Sequence, residues 1–182
     1  MKTIIVGGST RVGANSDVIG EYAQELSKEK GNDVELINIR DLDVAYCQAC
    51  NNCKETGSCK IKDDAVDFIS KVQDADNVLL VYPIYFGAIP GLVKTLIDRF
   101  YSVFTHDMVI EGKKRLGIVQ TLGSPGDEKT PAIGEHTAFC FSVLGCTESK
   151  IVNCGDNNIP AAFLDKEDQK SEVKSLVDWI NQ

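Results

Sequence analysis

Short apolar runs alternate five times with amphipathic helical patterns along the 182-residue chain. The apolar runs predict strands at residues 3–6, 34–39, 78–82, 116–120 and 149–152. This alternation is typical of a parallel sheet with right-handed crossovers and helices on both faces. We therefore expect an α/β protein, a three-layer α/β/α sandwich with a five-stranded parallel sheet, forming a single domain over residues 1–182.

The helical patterns are bounded by residues that usually start or stop helices. We expect helices over residues 16–30, from an Asp63 cap onward, from a first turn containing Pro90, from Thr130 to Leu144, and from about residue 165. The third of these helices is expected to bury one apolar stripe: Val93, Leu96, Ile97, Phe100 and Phe104.

The charge balance excludes some partners. The chain has 19 basic and 27 acidic residues, a formal net charge of −8, so we expect neither a nucleic-acid partner nor an anionic membrane surface. The first residues show no basic region followed by a long apolar stretch, so no signal peptide or membrane span is expected. We expect a cytoplasmic protein whose seven cysteines stay reduced.

In parallel sheets, ligands bind beyond the carboxyl ends of the strands, where the strand order reverses. The loop after the first predicted strand contains glycines, hydroxyl groups and one arginine just before a helix, a combination that favours a phosphate. Its spacing matches neither a Walker A loop nor a dinucleotide-binding fingerprint. The alternative is a polar turn with ordinary helix capping. The candidate phosphate-binding residues are Ser9, Arg11, Gly13, Asn15 and Ser16.

Segments 8–16, 83–94 and 97–99 together resemble the NADPH-dependent FMN reductase group of the flavodoxin-like superfamily. The likeness runs along essentially the whole chain in order and spacing. It implies a flavodoxin-like fold with strand order 2-1-3-4-5 and FMN as cofactor.

The resemblance also implies which residues contact the flavin ring. In this group the loop after the third strand contacts the isoalloxazine, and a loop after the fourth strand borders it. The alternative is that Tyr85 and Phe86 only pack the end of a strand. The implied ring contacts are Pro83, Ile84, Tyr85, Phe86, Gly87, Thr121 and Gly123.

A cysteine-rich loop at residues 45–62 contains Cys47, Cys50, Cys53 and Cys59 in a C-x2-C-x2-C-x5-C pattern. Four soft ligands in so short a segment suit a 4Fe–4S cluster, zinc, or redox-active free thiols. The pattern resembles the iron–sulfur flavoprotein branch of the same group, which carries FMN beside a 4Fe–4S cluster. The other three cysteines, Cys140, Cys146 and Cys154, are expected to be core residues.

The predicted function is that of an FMN-dependent oxidoreductase or electron-transfer flavoprotein; if the cysteine-rich loop holds a cluster, electrons are expected to pass through it from a ferredoxin-like donor. One alternative is an NAD(P)H-dependent reductase of flavins, quinones, nitro or azo compounds, without a cluster. Two others are a flavodoxin-type one-electron carrier and a zinc-stabilised interaction domain that binds no flavin. Flavin chemistry needs no side-chain acid–base pair, and neither His106 nor His136 is expected to be catalytic. The resemblance implies a homodimer or homotetramer.

Overall fold

The computed structural model of the protein describes residues 1–104 and 113–182. Its five parallel strands form one sheet in the order β2-β1-β3-β4-β5. The predicted fold class is confirmed. The strands are β1 (Lys2–Gly7), β2 (Asp33–Asn38), β3 (Asn77–Pro83), β4 (Lys114–Thr121) and β5 (Cys146–Cys154).

Helices lie between the strands and after the last one. They are α1 (Asn15–Glu29), α2 (Asn52–Thr56), α3 (Asp64–Asp74), α4 (Gly91–Arg99), α5 (Tyr101–Phe104), α6 (Thr130–Ser142) and α7 (Glu167–Ile180), with 3₁₀ turns at Ile39–Asp41 and Ala162–Asp165. No helix in the part of the chain described is long and apolar enough to cross a membrane.

The central strand β3 shows why the protein has three layers. Every residue of β3 is buried, and its side chains alternate between the two faces of the sheet. Val78 and Leu80 join the core beneath α3, α4 and α6. Leu79 and Val81 join the core beneath α1 and α7. A strand buried on both faces reads as a continuous apolar run, which is why this one is evident in the sequence.

Several predicted details differ in the structure. Pro90 precedes the first residue of α4 instead of lying in its first turn. The apolar stripe ends before Phe104, which is 58% exposed, because the helix breaks after Arg99 and a short α5 follows. Thr130 does not cap α6; the carboxylate of Asp127 accepts the N–H groups of Lys129 and Thr130. The start of α4, the exposure of Phe104 and the capping of α6 all depend on loop geometry rather than on residue type.

A buried ion pair connects α4 to the N-terminus of α3. Arg99 is 2% exposed, and its Nη1 lies 2.5 Å from Oδ2 of Asp63. Asp63 also caps α3, as predicted, by accepting the N–H of Ala65. Burial acts to raise the pKa of Asp63, but the hydrogen bonds from Arg99 and from backbone amides outweigh it, so the pKa lies below its ordinary value. The carboxylate therefore stays charged beside the guanidinium.

We expect Asp63→Asn to lower the free energy of unfolding by about 3–5 kcal/mol, because it leaves a buried arginine unpaired. Urea denaturation at pH 7 measures this. Since folding lowers the pKa of Asp63, its stabilising effect is present above the unfolded pKa, about 4, and is lost as the pH falls through the folded pKa. The difference between variant and wild type should therefore shrink in acid.

Asp67→Asn is the matched control, because Asp67 is an exposed acid in the first turn of the same helix. It should change stability by less than about 1 kcal/mol. Equal losses in the two variants would mean that the ion pair does not stabilise the fold.

Candidate functional site

Loops from four strands meet at the carboxyl edge of the sheet. Backbone hydrogen bonds extend the strand pairing into these loops: Gly8 donates to Val81 at 2.8 Å, Ile84 to Thr121 at 2.9 Å, and Leu122 to Cys154 at 2.9 Å. Each loop is therefore held in register with its neighbour. The loops that the sequence indicates as a site are adjacent in the fold.

The first turn of α1 has backbone amides that no side chain caps. Ala14 occupies the capping position and makes no side-chain cap hydrogen bond. The side chains of Asn15 and Ser16 form hydrogen bonds with other parts of the protein. The alternative prediction, that one of them is an ordinary cap of this helix, is therefore wrong. A helix N-terminus without a side-chain cap favours an anion at its open N–H groups.

Asn15 anchors the loop that follows β5. Its Nδ2 donates to the carbonyl oxygens of Asn157 and Ile159 at 3.2 and 2.8 Å, and its Oδ1 accepts the N–H of Phe163 at 3.0 Å. Ser16 lies 3.1 Å from the hydroxyl of Thr121, buried between α1 and β4. Asn15 and Ser16 therefore hold the loop after β5 and the end of β4 in place around the site.

The other three candidate phosphate residues differ in exposure. Ser9 is fully buried, and its hydroxyl bonds to the backbone N–H and carbonyl of Arg11 at 3.1 Å. Gly13 has a φ of 71° and donates its N–H to Asp17 at 2.8 Å. The Arg11 guanidinium is exposed and has no partner among the residues described. Arg11 is thus the charged group of this loop that is available to a ligand.

A groove of two adjoining cavities lies at this edge. The first cavity, about 230 Å³, is lined by Arg11, Ala14, Asn15, Ser16, Pro83, Ile84, Tyr85, Thr121, Leu122, Gly123 and residues 157–160. The second, about 350 Å³, shares Ile84, Leu122 and Gly123 with it and continues past Phe86, Gly87, Lys129 and Thr130. Of the predicted flavin contacts, Ser9 and Gly13 line neither cavity.

The turn at the tip of the 83–87 loop is conformationally unusual. Tyr85 and Ala88 exchange two backbone hydrogen bonds of 3.0 Å, and Phe86 and Gly87 between them have φ values of 51° and 69°. Two left-handed residues in a two-residue turn define a type I′ geometry. Phe86 is fully exposed, so packing against the end of the strand does not explain it. A bulky residue held in a left-handed conformation and turned outward is typical of a contact surface.

The loop after β5 also lines the site, which was not predicted from the sequence. Asn157, Asn158, Ile159 and Pro160 line the first cavity, although no residue beyond position 123 was predicted there. The two consecutive asparagines just after a predicted strand were the available signal, because in a parallel sheet this strand end meets the same edge.

The cysteine-rich loop packs against the C-terminal end of α4. Arg99 donates to the carbonyl oxygens of Ala45 and Ile61 at 2.9 and 3.3 Å, and its Nη2 lies 3.4 Å from Sγ of Cys59. One buried guanidinium therefore holds both ends of the loop. No such role for Arg99 was predicted from the sequence.

Cys47, Cys50, Cys53 and Cys59 line one small cavity of about 20 Å³. All four thiols are free, and Cys53 is buried while Cys50 is exposed. Among the residues described, no three such ligands are arranged to hold a metal ion. The donor set fits a soft metal or an iron–sulfur cluster in its chemistry, and the loop around it has little regular structure apart from α2.

Two of the remaining three cysteines are deeply buried. Burial raises the pKa of the Cys146 and Cys154 thiols to about 12, which fits the prediction that they are core residues. Cys140 is half-buried: it packs against the edge of the core and also lines a surface cavity of about 620 Å³, so it belongs to the core only in part. His136 is exposed and stacks on Phe139. His106 lies outside the described residues.

The sequence model of the NADPH-dependent FMN reductase family matches residues 1–129. The chain therefore belongs to this family, which confirms the family predicted from the sequence. An FMN-dependent NADH-azoreductase from Bacillus anthracis, solved in complex with FMN, superimposes with a TM-score of 0.72 at 16% identity, covering 100% of each chain. That likeness supports the fold.

Iron–sulfur flavoproteins are among its relatives. One from Methanocaldococcus jannaschii is 36% identical over 99 residues, 54% of this chain and 51% of that protein. One from Methanosarcina thermophila is 33% identical over 133 residues, 71% of this chain and 69% of that protein. The chain thus matches about half the length of the first relative, and its predicted branch of the family is confirmed by both.

We expect Phe86→Asn to raise the stability of the flavin-free protein by about 1 kcal/mol, because asparagine tolerates a left-handed conformation better than phenylalanine does. For a protein of this size, the melting temperature should rise by about 2–4 °C. Tyr85→Asn is the control and should bring no gain, since Tyr85 does not have a positive φ. A lower melting temperature for Phe86→Asn would show that the exposed ring supports the fold.

Proposed function

We propose that residues 1–182 form one domain that binds FMN along the groove. The phosphate lies at the N-terminus of α1, and the ring system lies against residues 83–87 and 121–123. The observation that carries this proposal is the opening of α1, where uncapped backbone amides face a groove that the unpartnered Arg11 also lines. When bound, FMN supplies the ability to accept and donate electrons.

Some residues around the groove contact the FMN itself, and others hold the surrounding loops in place. Arg11 and the first amides of α1 bind the phosphate, while Ser9 fixes the backbone of Arg11. Asn15 and Ser16 keep the 157–163 loop and β4 at the right distance. On the ring side, the tight turn at Phe86 and Gly87 presents backbone N–H groups to a flat heterocycle, and Ile84 and Leu122 exclude water from it.

We infer that Cys47, Cys50, Cys53 and Cys59 hold a 4Fe–4S cluster, which supplies one-electron transfer when bound, with a ferredoxin-like protein as electron donor. The shared cavity of the four free thiols and the iron–sulfur flavoproteins among the relatives support this. Arg99 holds both ends of the loop, so the segment that carries the thiols is anchored to the fold before any metal binds.

A second function is NAD(P)H-dependent reduction of a quinone, nitro or azo compound without a cluster, and the shape of the groove on the ring side favours it. The open second cavity of about 350 Å³ on the ring side leaves room for a second flat molecule beside the flavin.

The proposed assembly is a homodimer or homotetramer. Phe104 and Phe139 are 58% and 73% exposed, and both line the apolar cavity of about 620 Å³ near the cysteine loop. Exposed aromatic patches of this kind are typical of protein interfaces. A cytoplasmic location stays a prediction from the sequence.

We expect Arg11→Ala to weaken FMN binding by about 1.5–3 kcal/mol, the range for a hydrogen bond to a charged group. Riboflavin, which lacks the phosphate, should bind equally well to variant and wild type. Flavin fluorescence titration measures both affinities. Lys28→Ala is the control for net charge, since Lys28 lies in the last turn of α1. Unchanged FMN affinity in Arg11→Ala would remove the phosphate from this loop.

We expect anaerobically prepared protein to contain about four irons per chain and to absorb broadly beneath the flavin bands. Serine at any one of the four loop cysteines should lose much of that iron, whereas Cys140→Ser should retain it. Iron analysis and visible spectra measure this. If iron-replete protein is merely yellow, the cluster is excluded, and turnover with NADPH then tests the second function.

A further inference from the structure

A buried carboxylate lies inside the proposed phosphate loop. Asp17 is 6% exposed, and its Oδ2 accepts the N–H of Gly13 at 2.8 Å. Asp17 is in the first turn of α1, the turn whose amides are proposed to face the phosphate. A carboxylate so close to a bound phosphate would repel it unless its charge were balanced.

The balancing charge comes from Arg40, in the 3₁₀ turn after β2. Its Nη1 lies 2.8 Å from Oδ1 of Asp17 and 3.3 Å from the carbonyl oxygen of Ser9. Arg40 therefore contacts the beginning of the loop at Ser9 and, through Asp17, its far end at Gly13. It does not line either cavity of the groove.

The guanidinium of Arg40 is largely buried and uses only part of its hydrogen-bonding capacity. Its side chain is 15% exposed, and its Nε is buried with no hydrogen-bond partner among the described residues. Asp41 lies 3.9 Å from that Nε, too far for a hydrogen bond. Because both charges of the Arg40–Asp17 pair are largely desolvated, removing either one would leave the other unpaired, so the pair keeps a compensated charge directly beneath the loop.

We propose that Arg40 is a positioning residue for the FMN phosphate: it neutralises Asp17 beneath the loop and ties Asp17 to Ser9, while Arg11 makes the direct contact. This inference rests on the proposed location of the phosphate. According to this proposal, Arg40 acts beneath the loop and Arg11 acts at its surface. The ligand class is a phosphate monoester on the flavin.

The test compares Arg40→Gln, Asp17→Asn and the double variant, each as full chains titrated with FMN and with riboflavin. Arg40→Gln should weaken FMN binding at least about tenfold, through repulsion from an unpaired Asp17, while riboflavin binding stays within about threefold, or 0.65 kcal/mol. Asp17→Asn should bind FMN as well as wild type or better. The double variant should recover most of the FMN affinity lost in Arg40→Gln.

Two further variants keep the result interpretable. Arg40→Lys retains the charge and should lose less FMN affinity than Arg40→Gln. Lys28→Gln changes the net charge equally, far from the groove, and should have no effect. If Arg40→Gln fails to fold, Arg40→Lys and the double variant still test the proposal. The charge of Asp17 is neutralised in Arg40→Lys and removed in the double variant, so both should bind FMN more tightly than riboflavin.

Several outcomes would overturn the proposal: equal loss of FMN and riboflavin in Arg40→Gln, no loss of either, or a double variant no better than Arg40→Gln. Weak FMN binding by both Arg40→Lys and the double variant would also overturn it. Failure of the underlying phosphate assignment looks different. In that case Arg11→Ala, and wild type itself, would show no preference for FMN over riboflavin.

Discussion

The reversal of strand order at β1 determines where this protein has a groove. β1 pairs with β2 on one side and with β3 on the other, so the connections after β1 and β3 diverge from neighbouring points. The hydrogen bond from Gly8 to Val81 brings the first loop onto β3. A Cβ at Gly8 would lie 2.8 Å from Cβ of Tyr82 and 2.6 Å from Cγ2 of Val93. Glycine is therefore required for this approach.

Helix α4 connects the groove to the cysteine-rich loop. It begins just after the ring-side turn and ends at Arg99, a length of about 12 Å at 1.5 Å per residue. The loop at residues 45–62 has few apolar residues to hold it, and it depends on the hydrogen bonds and ion pair of Arg99. An apolar pair could give equal stability, but only a fork of donors reaches two carbonyl groups, a carboxylate and a thiol at once.

The sequence predicted the parts of the fold that local patterns determine. β3 was evident because its residues 78–82 form a continuous apolar run, and Asp63 was evident as a helix cap. The second role of Asp63 was not, because Arg99 lies 36 residues away and reads as a surface residue of a helix. Asn15 suits a phosphate loop by residue type, yet its partners are 142 to 148 residues distant. Contacts between loops of different strands depend on the folded sheet and leave no local periodicity.

An acidic protein that binds a phosphate must rely on short-range interactions. The net charge of −8 opposes any anion, but charges beyond about 8 Å are largely screened at physiological ionic strength. The groups that lie next to the proposed phosphate position are the amides at the start of α1, Arg11 and the Asp17–Arg40 pair. The pair is nearly neutral as a unit, so the helix amides and Arg11 determine the sign of the local potential. The location of an anion site is thus decided by a few neighbouring dipoles and one compensated carboxylate, which the overall charge of the chain does not reveal.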